Sequence, residues 1–104
     1  MIKINGELWR VRLVPPSHPF LTAYRHTPAI GCCDSLSRTI CISNALNPIM
    51  IKKVLCHELV HATMYSYRIN LSHYEEELAA ELISTYGDEI LALTNIVYDK
   101  FKIV

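Results

Sequence analysis

Two periodicities divide the chain. From Glu7 to Val14, Trp9, Val11 and Leu13 alternate with Arg10 and Arg12, the period-two pattern of a half-buried strand. Asn5-Gly6 joins this segment to Met1–Ile4, and both residues tolerate the positive φ that a two-residue hairpin turn needs. Pro15-Pro16 ends the second strand. Ser17–Ile30 carries Pro19 and Pro28 and reads as loop, with one short helical turn near Leu21–Tyr24. Arg38–Ser43 reads as a third strand with Ile40 and Ile42 on one face.

Beyond Ser43 the period becomes helical. Asn47-Pro48 combines an N-cap side chain with proline at the first helical position. Ile51, Val54, Leu55, Leu59 and Ala62 follow at helical spacing and predict a helix from Pro48 to about Tyr67. Ser72 caps a second helix, from His73 to about Tyr86, with Glu75 in place to complete a capping box. Gly87 is expected to stop it, and Asp88 to cap a third helix running to about Lys100. Strands followed by helices indicate an α+β domain, expected to be a single one over residues 1–104.

Composition narrows the partners. Lys plus Arg and Asp plus Glu each number 10, so there is no basic excess to attract nucleic acid or an anionic membrane. No apolar run approaches the roughly 20 residues that cross a bilayer. Met1–Gly6 lacks the apolar core of a signal peptide, so the expected protein is soluble and cytosolic, with reduced thiols. Cys32, Cys33, Cys41 and Cys56 form no C-x-x-C pair and are read as small apolar groups rather than ligands or nucleophiles.

The chemistry lies in His57-Glu58-Leu59-Val60-His61. Four residues apart on a helix, the two histidines project from one face and can reach one tetrahedral zinc ion. Glu58 stands beside them without being a ligand and is the expected general base for a zinc-bound water attacking a carbonyl. A third ligand is required. Met64 and Tyr67 occupy the positions of the extended H-E-x-x-H-x-x-G-x-x-H motif, which leaves a glutamate of the next helix: Glu75, Glu76, Glu77 or Glu81. The apolar stripe Leu78, Ala79, Leu82, Ile83 and Tyr86 centres on Glu75, with Glu76 at its edge, and turns Glu77 and Glu81 towards solvent. Periodicity therefore favours Glu75, with Glu76 next. For a group binding the oxyanion, Tyr65, Tyr67, His73 and Tyr74 are close enough in sequence to consider, although each is more readily explained by packing or exposure. His18 and His26 receive no role.

Gly31-Cys32-Cys33-Asp34, the strand Thr39–Ser43, the run Lys53–Ala62 and the acidic cluster after it together resemble the small ImmA/IrrE-like metallopeptidases of phages and mobile elements. The resemblance covers roughly residues 31 to 90. It implies a minimal zincin: a small three-stranded, mainly antiparallel sheet against the active-site helix, with a glutamate-bearing helix and one more. It implies peptide-bond cleavage, often in a regulatory repressor. It also favours Glu76 as third ligand, because the family's E-x-x-A-N pattern fits Glu76–Ala80 with alanine replacing asparagine. In zincins the edge strand corresponding to residues 38–43 pairs with substrate. A SprT-like reading shares the H-E-x-x-H helix and would offer His73 as ligand.

Three functions are weighed. The first is a zinc endopeptidase acting on a protein or peptide substrate. The second is a zinc-containing binding or regulatory module without activity. The third is a hydrolase of a non-peptide amide. Glu58 favours an enzyme, since a structural zinc site has no use for an acid there. No nucleic acid or membrane partner is expected, and the apolar tail Phe101–Val104 offers a surface to another chain.

Overall fold

The computed structural model describes residues 1–23 and 29–102. His26, the Tyr24 end of the expected helical turn and the last two residues of the apolar tail lie outside the described residues. The elements are β1 (Ile2–Ile4), β2 (Glu7–Val14), α1 (Pro19–Thr22), β3 (Gly31–Asp34), β4 (Thr39–Ser43), α2 (Pro48–Ser66) and α3 (His73–Phe101). The protein is α+β, with a sheet on one side of α2 and α3 on the other.

The N-terminal hairpin forms as its turn residues require. Asn5 and Gly6 both have positive φ, 50° and 76°, and β1 pairs antiparallel with β2. The sheet itself departs from expectation. Among the described residues it has four strands, not three, in the order β1-β2-β4-β3, and it is mixed, because β2 and β4 run parallel from Arg10 opposite Thr39 to Val14 opposite Ser43. The unexpected strand is β3, whose Gly-Cys-Cys-Asp sequence carries no alternation of apolar and polar side chains. It pairs antiparallel with β4 across a turn in which Asp34 Oδ2 accepts the Ser37 N–H at 3.1 Å.

Consequently β4 is central rather than an edge. It is paired on both sides and every one of its residues is buried. Ile40 and Ile42 pack with Trp9, Val54 and Ala62, whereas Cys41 packs with Val14 and Leu21. The expectation that residues 38–43 offer a free edge to a peptide is therefore overturned. The outer edge on that side belongs to β3.

Trp9 ties the sheet to the end of α2. It is fully buried, its indole N–H donates to Ser66 Oγ at 2.8 Å, and its ring meets Tyr65 edge-on. The Asn5 side-chain amide donates to the Ser66 carbonyl at 2.9 Å, so the hairpin turn is fastened to the same point. Glu7 adds a charged clamp, accepting from Arg38 at 2.8 Å and, at 3.4 Å, from Arg68.

Both long helices begin on side-chain caps. Asn47 Oδ1 accepts the Met50 N–H at 2.8 Å, and Ser72 with Glu75 forms a reciprocal capping box. Gly87 does not end the second of them: α3 is one helix of 29 residues. Glycine permits a left-handed C-terminal residue but does not impose one, and Asp88 to Ile90 continue the helix at an expense of about 1 kcal/mol relative to alanine. Only Ala80 of α3 is buried, and the molecule extends 56 Å along its longest axis. Among the described residues no helix is long and apolar enough to cross a membrane.

Replacing Ser66 with alanine strands the Trp9 indole N–H in the core. We expect a loss of about 1–3 kcal/mol of unfolding free energy, measured by urea denaturation followed through tryptophan fluorescence.

Candidate metal centre

Two apposed helices build the site. His57 and His61 stand one turn apart on α2 with ring centroids 5.2 Å apart. α3 packs across them, and its small, fully buried Ala80 lets the helices approach closely one turn beyond Glu77. Glu77 then reaches both rings: Oε2 lies 3.2 Å from His57 Nε2 and Oε1 lies 2.8 Å from His61 Nε2. One ligand atom from each of the three residues falls within 4.8 Å of the others, so this group can hold a metal ion.

The donor set suits zinc. Two nitrogens and a carboxylate oxygen are ordinary zinc donors, and atoms sharing one tetrahedral zinc sit roughly 3.3 Å apart at bond lengths near 2.0–2.1 Å. The observed separations from Glu77, 3.2 and 2.8 Å, lie just under and somewhat below that figure. A carboxylate held between two imidazoles is already where a common ion would draw it.

Two further carboxylates of α3 face the other ring nitrogens. Glu76 Oε1 is 2.6 Å from His61 Nδ1, and Glu81 Oε2 is 3.8 Å from His57 Nδ1. A proton on His61 Nδ1 donated to Glu76 leaves Nε2 with its lone pair directed at the ligand position, the usual way a protein fixes the tautomer of a metal-binding histidine. Glu81 also accepts from Lys53 Nζ at 3.1 Å, and this bond, with that from Thr85, holds its carboxyl below the ordinary value.

The sequence-based ranking is thus rearranged. Glu75 is exposed and turned back on the helix start, where Ser72 N–H donates to its Oε1 at 3.0 Å. That bond and the Ser72 hydroxyl hold its carboxyl below the ordinary value. Glu76 is at the site but on the far nitrogen of His61. Glu77, expected to face solvent, is the carboxylate the structure brings to both Nε2 atoms. The stripe used to orient the helix is itself exposed, with Leu78 and Leu82 more than half accessible, so it does not mark the face that meets α2. Ala80, three residues after Glu77, was the better signal: a small residue marks where two helix backbones come closest.

Glu58 lies beneath this group, 9% exposed. Burial pushes its carboxyl above the ordinary value, against the pull of His61 and His57 and with a contribution from Glu77. Gly31 of β3 lies against it. A Cβ at Gly31 would come within 2.6 Å of Val54 Cγ1 and 3.3 Å of Glu58 Cγ, so the strand can run this close to α2 only without a side chain.

Two openings flank the pair. One of about 340 Å³ is bordered by Gly31, Lys53, His57, Glu58 and Glu77. The other, about 320 Å³, is bordered by Gly31, Cys33, Glu58, His61, His73 and Glu77. Of the four residues considered for binding an oxyanion, His73 alone lines these openings. Tyr65 packs on Trp9 and Arg68, and Tyr67 and Tyr74 are exposed. Cys33, bordering the second opening, has its thiol pushed up to about 12 by burial, with Glu58 next in effect. None of the cysteines joins a metal-holding group among the described residues.

Comparison of the chain with protein-family models, curated proteins and solved structures finds no match.

Calorimetric titration with Zn²⁺ should give one ion per chain for the parent and for Glu75→Ala. Affinity should fall by at least about 100-fold for His61→Ala and Glu77→Ala and by about 10–100-fold for Glu76→Ala. Equal losses in the Glu75 and Glu77 variants would contradict the ligand set. Gly31→Ala should destabilise the fold by about 1–3 kcal/mol through overpacking, read as a shift of the urea midpoint. At pH 8 Cys33 should alkylate far more slowly than a free cysteine, because the thiolate is the reacting form. Peptide mapping after iodoacetamide treatment measures this.

Proposed function

We propose that this chain is a zinc-dependent peptidase in which His57, His61 and Glu77 hold the ion, Glu76 positions His61, and Glu58 handles the proton. The observation that carries the reading is the placement of Glu58, a buried carboxyl bordering both openings beside the three-residue group. A site needed only for structure would gain nothing from an acid in that position.

When bound, the ion supplies Lewis acidity, acidifying water and stabilising negative charge on a carbonyl oxygen. Glu58 accepts a proton from the attacking water on a carboxylate oxygen. The same group then delivers that proton to the departing amine nitrogen. A carboxyl raised by burial is suited to both tasks, since its conjugate acid persists closer to neutral pH. Lys53 and Thr85 steady Glu81, and Glu76 fixes the His61 ring, so the imidazoles need little rearrangement.

Peptide is the preferred substrate class because of the resemblance to ImmA/IrrE-like metallopeptidases, which also suggests a regulatory repressor as target. β3 supports it. Among the described residues it is the outer strand of the sheet, and its Gly31 borders both openings, so a peptide extended along its outer edge would pass the site.

The test is cleavage of an unbiased peptide library by the zinc-loaded protein, read by mass spectrometry. The parent should cut, and Glu58→Gln should bind the ion equally well while losing roughly 10²- to 10⁴-fold in rate. A parent that binds zinc yet cleaves nothing, or a Glu58→Gln variant as fast as the parent, sinks the proposal and leaves a metal-containing binding module.

A further inference from the structure

The C-terminal half of α3 leaves the rest of the molecule and carries an apolar seam along one face. Ile83, Tyr86, Ile90, Leu93 and Val97 follow one another at alternating steps of three and four, and Phe101 extends the row. These six side chains are between 45% and 68% exposed. Ile90, Leu93, Val97 and Phe101, with Thr94 and Tyr98, form an open groove of about 530 Å³. The face is not the one carrying Glu77 and Ala80 towards α2.

We propose that this seam is covered by the same seam of a second copy of the chain, packed antiparallel about a two-fold axis near Thr94. Two independent features set that direction and register. Glu89 and Lys100, eleven residues apart, fall within about 20° of one another round the helix and so lie on the same flank of the seam. An antiparallel pair brings each flank against itself, placing Glu89 opposite the partner's Lys100 and, by symmetry, Lys100 opposite the partner's Glu89. A parallel pair brings opposite flanks together and leaves both charges without an opposite.

The other flank carries Gly87, Thr94 and Phe101 at steps of seven. The register that matches the charges brings the two Thr94 residues together at the axis and sets the partner's Phe101 over Gly87. This explains a glycine in the middle of an exposed helix. Its own chain does not need it there, since a Cβ at Gly87 would meet only Ile83 Cγ2, at an ordinary 3.4 Å. A phenyl ring from a second helix does need the space.

The area is sufficient. Roughly 500 Å² of half-exposed apolar side chain per copy gives about 1,000 Å² for the pair, the lower bound of a specific interface. The arrangement leaves the metal centre outside the contact.

Sedimentation equilibrium of the full chain tests this without reference to metal or activity. The parent should sediment at twice its 11.9 kDa mass at micromolar concentration. Glu89→Lys and Lys100→Glu, both at exposed positions, should each weaken association at least tenfold, and the double exchange should return it to within about threefold of the parent. Gly87→Leu, which favours the helix, should abolish the dimer while circular dichroism stays unchanged. A parent that remains monomeric at 100 µM, a double exchange no tighter than either single variant, or a Gly87→Leu protein that still dimerises overturns the proposal.

Discussion

A pair of imidazoles meeting one carboxylate across two helices governs how this molecule is assembled. Glu77 can touch both Nε2 atoms only if α3 presents its acidic face to α2, with Glu76 and Glu81 set to either side. That choice of face has a cost. The leucines, isoleucines and tyrosine that would ordinarily bury a helix are turned to the outside. The contact between α2 and α3 rests instead on Ala80, on pairs such as Lys53 with Glu81, and on the histidine–glutamate group. Exposed ion pairs contribute little on their own, so an ion bound by the group would add much to the hold between the helices.

The sheet meets this helix pair from the other side through a different chemistry. Trp9, Ile40, Ile42, Val54 and Ala62 make an apolar core, and Glu58 lies between that core and the openings. Its environment is a compromise between the apolar strand behind it and the two histidines beside it. The absence of a side chain at Gly31 sets how near the strand can come, and therefore how far the carboxyl is kept from water.

Local chemistry was readable from the sequence wherever one element contains it. Asn5-Gly6 turns as its residues demand, Asn47 and Ser72 cap their helices, and the imidazoles of His57 and His61 lie on one face because a single helix carries both. What depended on relations between elements was not readable. β3 has too few residues and too little alternation to announce itself, and the parallel pairing of β2 with β4 is fixed only once the intervening chain crosses over. The rotation of α3 is hidden for a definite reason: its apolar stripe is real but belongs to a different surface, so the strongest pattern in the helix points away from the site. Gly87 reads as a stop because glycine so often serves as one, although nothing beside it breaks the helical run.

The fastening of Asn5 and Trp9 to Ser66 bears on the order in which a growing chain can become ordered. The hydrogen bonds that fasten Asn5 and Trp9 can form only once Ser66 has been added, later than the pairing of β2 with β4, which needs residues 39–43. During synthesis the outer edge of β2 stays bare until residues 39–43 follow, the state most exposed to adventitious pairing with other chains. The lysine and arginines on those strands, Lys3, Arg10 and Arg12, lie where repulsion between like charges would discourage such pairing until β4 arrives.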